Sequence, residues 1–159
     1  RRTILAMGAA LFILNLLNEL TLLPGMAVIN LVFTFGFFVT AAAFAARQVL
    51  LSGRVNSNTL VGSMAIYLLL GLIWATLYLL VLEFIPDAFN GIEYRQWSDN
   101  FSTALYFSYV TLTSLGYGDI TPTSELSRTL AYCESVTGTF YLAIVVASLI
   151  GARAGRHHN

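Results

Sequence analysis

The chain has 159 residues, 57% of them hydrophobic and only 10% charged, with a mean hydropathy of +0.75. A soluble domain usually carries about 25% charged residues, because a small globule needs polar surface to stay dissolved. Eight Arg, eight Asp or Glu and no Lys cannot supply that surface, which excludes a soluble enzyme, a nucleic-acid binder with a basic face and a disordered tail. The composition is that of a membrane protein. The single Cys133 lies in an apolar run, so neither a disulfide framework nor a cysteine metal site is available. The polar segments are too short to bury a core of their own.

A spanning helix needs roughly 20 mostly apolar residues to cross about 30 Å of hydrocarbon. The chain opens on Arg1-Arg2 rather than Met, as a trimmed piece would, and the first qualifying stretch runs from Thr3 to Leu23. It is too long for the apolar core of a signal peptide, and no small-x-small cleavage site follows it, so it reads as a span. Pro24-Gly25 breaks it. The second span runs from Met26 to Ala46 and ends at Arg47; the third runs from Leu60 to Phe84, before Pro86-Asp87. The fourth runs from Leu126 to Ala152, with Arg153 and Arg156 beyond it.

Arg and Lys in short loops favour the cytoplasmic side. With the N-terminus inside, that face holds Arg1, Arg2, Arg47, Arg54, Arg153 and Arg156, whereas the outer face holds only Arg95 and Arg128. Both termini are therefore expected in the cytoplasm. Neither of the first two spans has Arg at every third position, and Thr21 to Ala46 carries no charge, so no voltage sensor is expected.

Ile85 to Glu125 does not fit a four-span pattern. Pro86 to Trp97 is polar and turn-rich. Ser98-Asp99 then reads as a helix N-cap for an apolar stretch from Phe101 to Leu112, too short to cross a bilayer and suited to a re-entrant helix. Such a segment must be enclosed by protein or line a cavity, because exposed backbone is not tolerated in lipid.

Residues 111–122 read Thr-Leu-Thr-Ser-Leu-Gly-Tyr-Gly-Asp-Ile-Thr-Pro. A short helix, then Gly116-Tyr117-Gly118, then a further span resembles the pore loop of tetrameric potassium channels. The resemblance covers roughly residues 58–153. The family's filter signature is Thr-Val-Gly-Tyr-Gly-Asp; here it stands as Ser114-Leu115-Gly116-Tyr117-Gly118-Asp119. Rings of backbone carbonyls can replace the hydration shell of K+. Carbonyls aimed at one axis require backbone angles that alternate in hand, which Gly116 and Gly118 reach without penalty.

The resemblance implies that the carbonyls of Ser114, Leu115, Gly116 and Tyr117 form the ion sites, with the Ser114 hydroxyl adding the innermost ligands and Gly118 completing the filter. It implies support from Tyr106, Phe107, Thr113 and Asp119, with Asp119 anchoring the outer mouth. It also implies that the carbonyl end of the re-entrant helix faces a central cavity. One chain supplies one filter strand, so the family's solution is a fourfold homotetramer, each chain partnered by three identical subunits. Two departures stand out. Ser114 lacks the methyl of the usual Thr, and Leu115 replaces Val or Ile. Tyr106 and Phe107 stand where many relatives have Trp, and Phe107 cannot donate the hydrogen bond that an indole would give to the filter Tyr.

Gly138 lies nineteen residues after Asp119, where the family's inner helix has a glycine hinge; close helix packing is the other reading. Glu134 is an ionisable residue in an otherwise apolar helix. Ser108, Tyr109 and Thr111 are its candidate hydrogen-bond partners, and its role is either a structural tie between helices or a pH-sensing gate. Asn15, Asn18 and Glu19 share a face of the first span. With Asn30 they read as a polar clamp between helices, or as an ion or ligand site.

The literal Gly-x-Gly-Asp at residues 116–119 also matches intramembrane aspartyl proteases, but those enzymes need a second Asp in another span and none is present. A weakly selective monovalent cation channel and a non-conducting subunit are the remaining alternatives. The sequence thus predicts an all-α membrane protein with four transmembrane helices, a re-entrant pore helix and an extended filter. A helix pair occupies residues 1–51, a cytoplasmic linker 52–58, the pore domain 59–153 and a cytoplasmic tail 154–159. The expected function is a K+-selective channel rather than an enzyme, in a cell membrane of bacterial inner-membrane type. K+ is its permeant ion and lipids surround it; no cofactor and no nucleic acid is expected.

Overall fold

The computed structural model describes residue 8, residues 25–51 and residues 57–154. Apart from Gly8, the first expected span, with Asn15, Asn18 and Glu19, lies outside the described residues, as do residues 52–56 and 155–159. Four helices and one short two-stranded ladder make up the described part: α1 (Met26–Leu51), α2 (Ser57–Phe84), β1 (Phe89–Asn90), α3 (Trp97–Leu112), β2 (Thr121–Pro122) and α4 (Glu125–Ala154). Within α1, α2 and α4 the stretches Met26–Val49, Thr59–Phe84 and Glu125–Ser148 are long and apolar enough to cross a membrane. At about 1.5 Å per residue, the 28 residues of α2 and 30 of α4 exceed the hydrocarbon thickness.

The helices overrun the apolar windows that predicted them. α1 continues past Ala46 to Leu51, because Arg47 and Gln48 are good helix formers and nothing there breaks the backbone ladder. α2 begins at Ser57, inside the expected linker. α3 begins at Trp97, earlier than a cap at Ser98 or Asp99 would allow. Its N-cap is Gln96, in extended geometry (φ −52°, ψ 137°), and no side chain caps the helix. The Gln96 carbonyl takes the amides of Asp99 and Asn100, while Asn100 turns its side chain back to the Glu93 carbonyl at 2.9 Å. At α4 the signal is clearer. Ser124 and Ser127 exchange side-chain and amide bonds at 3.1 Å each, a reciprocal cap, and Glu125 follows in the first turn where the helix dipole favours an acid.

The core sits where α2, the 85–96 loop and α3 meet. Tyr78, Phe89 and Phe107 form a triangle of rings with centroids 4.9–5.4 Å apart. Ala75, Leu79, Leu82, Ala88, Ile92, Ala104 and Ile120 close around it, and Leu31 of α1 belongs to the same buried cluster. The buried positions of α3 include Asn100, Ala104, Phe107 and Ser108, the spacing of one helix face. That face lies on α2 at unusually short range. A Cβ at Gly71 would press on the Tyr109 ring, so glycine here gives room to this tyrosine, whose hydroxyl donates to the Leu68 carbonyl at 2.9 Å.

The antiparallel ladder pairs Phe89 with Pro122 and Asn90 with Thr121, tying the loop before α3 to the strand after the Gly-Tyr-Gly segment. The Thr123 amide and the Ser127 hydroxyl both donate to the Ala88 carbonyl, at 2.9 and 2.8 Å. Residues 113–120 are therefore held at both ends. Large apolar side chains such as Phe33, Val61, Met64, Phe140 and Ile144 stand more than half exposed on the long helices, the surface that hydrocarbon covers at no cost.

Candidate ion-conducting site

The Gly-Tyr-Gly segment starts as the C-terminal cap of α3. Thr113 is the last residue in helical geometry (φ −85°, ψ −3°). Ser114 then turns left-handed at φ 56°. Its amide donates to the Thr111 carbonyl, and the Leu115 amide to the Val110 carbonyl, both at 2.9 Å. These are the paired bonds of a Schellman motif, in which the left-handed position is usually glycine. Holding a serine there costs about 1–2 kcal/mol. Thr113 adds its hydroxyl to the Tyr109 carbonyl at 2.6 Å, and Tyr67 of α2 donates to the Leu112 carbonyl at 3.2 Å. The chain thus leaves the helix with its last carbonyls satisfied and its direction fixed.

Beyond Ser114 the hand of the backbone alternates. Gly116 (φ 62°) and Gly118 (φ 78°) are left-handed, while Leu115 and Tyr117 are not. Ser114 therefore shares the conformation expected of the two glycines, which residue type alone did not reveal. The segment is open to one side: Leu115 and Tyr117 are 55% and 66% exposed, and a Cβ at Gly116 or Gly118 would meet nothing within 4 Å. At the outer end, Tyr106 donates its hydroxyl to Asp119 at 2.8 Å, so the residue replacing Trp still ties the segment to α3. Phe107 is placed differently: 5% exposed, it lies in the aromatic core with Tyr78 and Phe89.

α4 closes behind this segment through three neighbouring residues. Glu134 is fully buried, and Ser108 of α3 lies 2.6 Å from its Oε1. Tyr78 of α2 donates to Oε2. Of the three expected partners only Ser108 is found, since Tyr109 bonds to Leu68; Tyr78, 56 residues away in sequence, is the one that sequence reading missed. The Ser108 hydroxyl also lies 2.8 Å from the Gly71 carbonyl, so one network joins α2, α3 and α4. A buried carboxyl is tolerated when so bonded. Ser135 places its hydroxyl 3.1 Å from that of Ser114. Gly138 lies against the end of α3, where a Cβ would come within 2.0 Å of the Leu112 carbonyl oxygen. That contact requires glycine whether or not the helix bends here. Asn30, expected in a polar clamp, is buried in α1 and accepts a bond from Thr34 at 3.4 Å, while the other members of that clamp lie outside the described residues. No group of His, Cys, Asp and Glu suited to hold a metal occurs among the described residues.

Comparison with known proteins gives the same segment a family. Residues 66–152, more than half of the chain, match a family of ion channels. Over 75 residues the chain is 36% identical to the probable potassium channel protein 2 of Methanocaldococcus jannaschii, covering 45% of this chain and 20% of that protein. It is 34% identical over 68 residues to the calcium-gated potassium channel TvoK of Thermoplasma volcanium (43% and 19%). It is 35% identical over 91 residues to the inward rectifier potassium channel Kirbac3.1 of Paramagnetospirillum magnetotacticum (57% and 28%). The matches span only 19–28% of these relatives' length. No solved structure matches the chain. A short helix ending in a left-handed turn, a backbone of alternating hand and two flanking spans belong together: this chain is a multi-pass membrane protein of the ion-channel family.

Proposed function

We propose that the chain is the protomer of a K+-selective channel in which four copies surround one pore. The observation that carries this reading is the backbone of residues 114–118. Left-handed φ at Ser114, Gly116 and Gly118 is the alternation that a strand needs to aim its carbonyls at one axis, and a ring of such carbonyls can stand in for the hydration shell of K+. One chain provides one wall of that ring. The open side of the segment, with Leu115 and Tyr117 exposed, is where three further copies complete it. The names of the relatives, each a potassium channel, support the choice of ion. Ser114, Leu115, Gly116 and Tyr117 are the carbonyl ligands in this reading, and the Ser114 hydroxyl lines the innermost site. Asp119, held by Tyr106, fixes the outer mouth.

Met26–Leu51 carries a single Arg, which favours a helix that accompanies the pore unit at 59–153 over a voltage sensor. Both termini face the cytoplasm of a bacterial-type inner membrane. Flux is passive. The substitutions at Ser114 and Leu115 favour one second reading, a weakly selective monovalent cation channel. The reversal potential decides between them. Purified tetramer in a planar bilayer, with K+ on one side and Na+ on the other, is expected to reverse near the K+ equilibrium potential. Reversal near zero with robust current would establish the weakly selective channel instead.

A further inference from the structure

We propose that Ser135 of α4 is a positioning residue for the innermost ion site, and that it replaces what Ser114 lost by not being threonine. The inference rests on the channel reading above and concerns one contact, the 3.1 Å approach of the Ser135 and Ser114 hydroxyl oxygens. A hydroxyl that binds a cation does so through a lone pair, so its hydrogen must point away from the ion. An acceptor on the far side fixes that orientation. Threonine has a branched Cβ that limits χ1, whereas serine can visit all three staggered positions. Ser114 is also held at φ 56°, where an L-residue is strained, so its side chain needs a defined partner more than most. Ser135 supplies it. The Ser114 hydrogen points to the Ser135 oxygen, and its lone pairs face the pore.

Placement makes this specific. Ser135 stands between Glu134, which is anchored to Ser108 and Tyr78, and Gly138, which touches the Leu112 carbonyl. The stretch of α4 that presents Ser135 is therefore fixed against α3 on both sides, and the acceptor stays at constant distance from the filter. The same arrangement makes the inner helix sensible to the ion site: a displacement of α4 at Ser135 releases the Ser114 hydroxyl.

The test uses the full-length tetramer in planar bilayers and reads block of K+ current by Ba2+ added from the cytoplasmic side. Ba2+ is a divalent ion of nearly the size of K+ that binds the same oxygen cages. Ser135→Ala is expected to weaken the block by about tenfold, the scale of one hydrogen bond to a group bearing an ion. Ser135→Thr, which keeps the hydroxyl, is expected to restore it. Ser114→Ala is expected to weaken the block as well, and Ser135→Ala added to it to change nothing more. If Ser135→Ala does not assemble as a tetramer, Ser135→Cys, close in shape but a weak acceptor, is measured with the same expectation. Unchanged block in the alanine or cysteine variant, or the same weakening whether or not Ser114 is present, overturns the proposal while leaving a K+-selective wild type intact. A wild type that does not discriminate K+ from Na+ overturns the channel reading itself.

Discussion

From Glu125 to Gly138, α4 is fastened to the rest of the molecule residue by residue. Ser127 reaches the Ala88 carbonyl, Glu134 holds Tyr78 and Ser108, Ser135 meets Ser114, and Gly138 closes on Leu112. From Thr139 onward the same helix is held differently. Tyr141 stacks on Tyr67 at 5.6 Å and donates to the Ser63 carbonyl at 2.6 Å. Beside them α2 and α4 leave an apolar cavity of about 290 Å3, lined by residues such as Leu60, Met64, Leu142 and Val145. Phe140 and Ile144 project outward, each about two-thirds exposed. The contrast teaches where this fold puts its precision. In hydrocarbon an unmade polar contact finds no water to replace it, so the contacts that hold this half of α4 are costly to break. The far half, among the described residues, is tied to α2 by the single bond of Tyr141 and otherwise by apolar contact.

Substitutions can break that contrast, and the largest effect is expected at Gly138. Gly138→Ala places a methyl group 2.0 Å from the Leu112 carbonyl oxygen. Overpacking at this level costs about 3 kcal/mol, so thermal unfolding of the purified protein in detergent should move down strongly and, on the proposed channel reading, current should be lost. A fully stable Gly138→Ala protein would show that the close approach is dispensable and leave bending as the reason for glycine. Glu134→Leu comes next. It leaves the Tyr78 hydroxyl without its acceptor, whereas Ser108 can still donate to Gly71. An unsatisfied buried hydroxyl costs about 2 kcal/mol, and Glu134→Gln, which keeps an acceptor oxygen, should lose clearly less in the same unfolding assay. Tyr141→Phe marks the other end of the scale. Removing the bond to Ser63 should cost under about 1 kcal/mol and leave Ba2+ block unchanged. A loss as large as that of Glu134→Leu would erase the distinction between the two halves.

Much of this molecule is legible in the chain. Apolar run length places α1, α2 and α4 within a few residues, because a span is set by local hydropathy and bilayer thickness alone. The short helix before Gly116-Tyr117-Gly118 is legible for the same reason, being too short to cross. Its start was misplaced, since Gln96 caps α3 through its backbone carbonyl and leaves no side-chain signature. The conformation of residues 114–118 is half visible: glycine announces a positive φ at 116 and 118, but serine at 114 does not.

Local composition and residue type are enough to locate the three long apolar helices, the short helix between the last two and the Gly-Tyr-Gly motif. The partners come from packing. Tyr78 meets Glu134 across 56 residues, Tyr106 rather than Phe107 secures the segment at Asp119, and Ser135 faces Ser114. Each of these depends on the rotation and register of one helix against another. Helices apolar on nearly every side, as α2 is, carry no polar stripe from which that rotation could be read. Close contacts set it instead: Gly71 under Tyr109 and Gly138 under Leu112 fix how far the helices approach, and the buried hydroxyls and carboxyl then meet where that approach puts them.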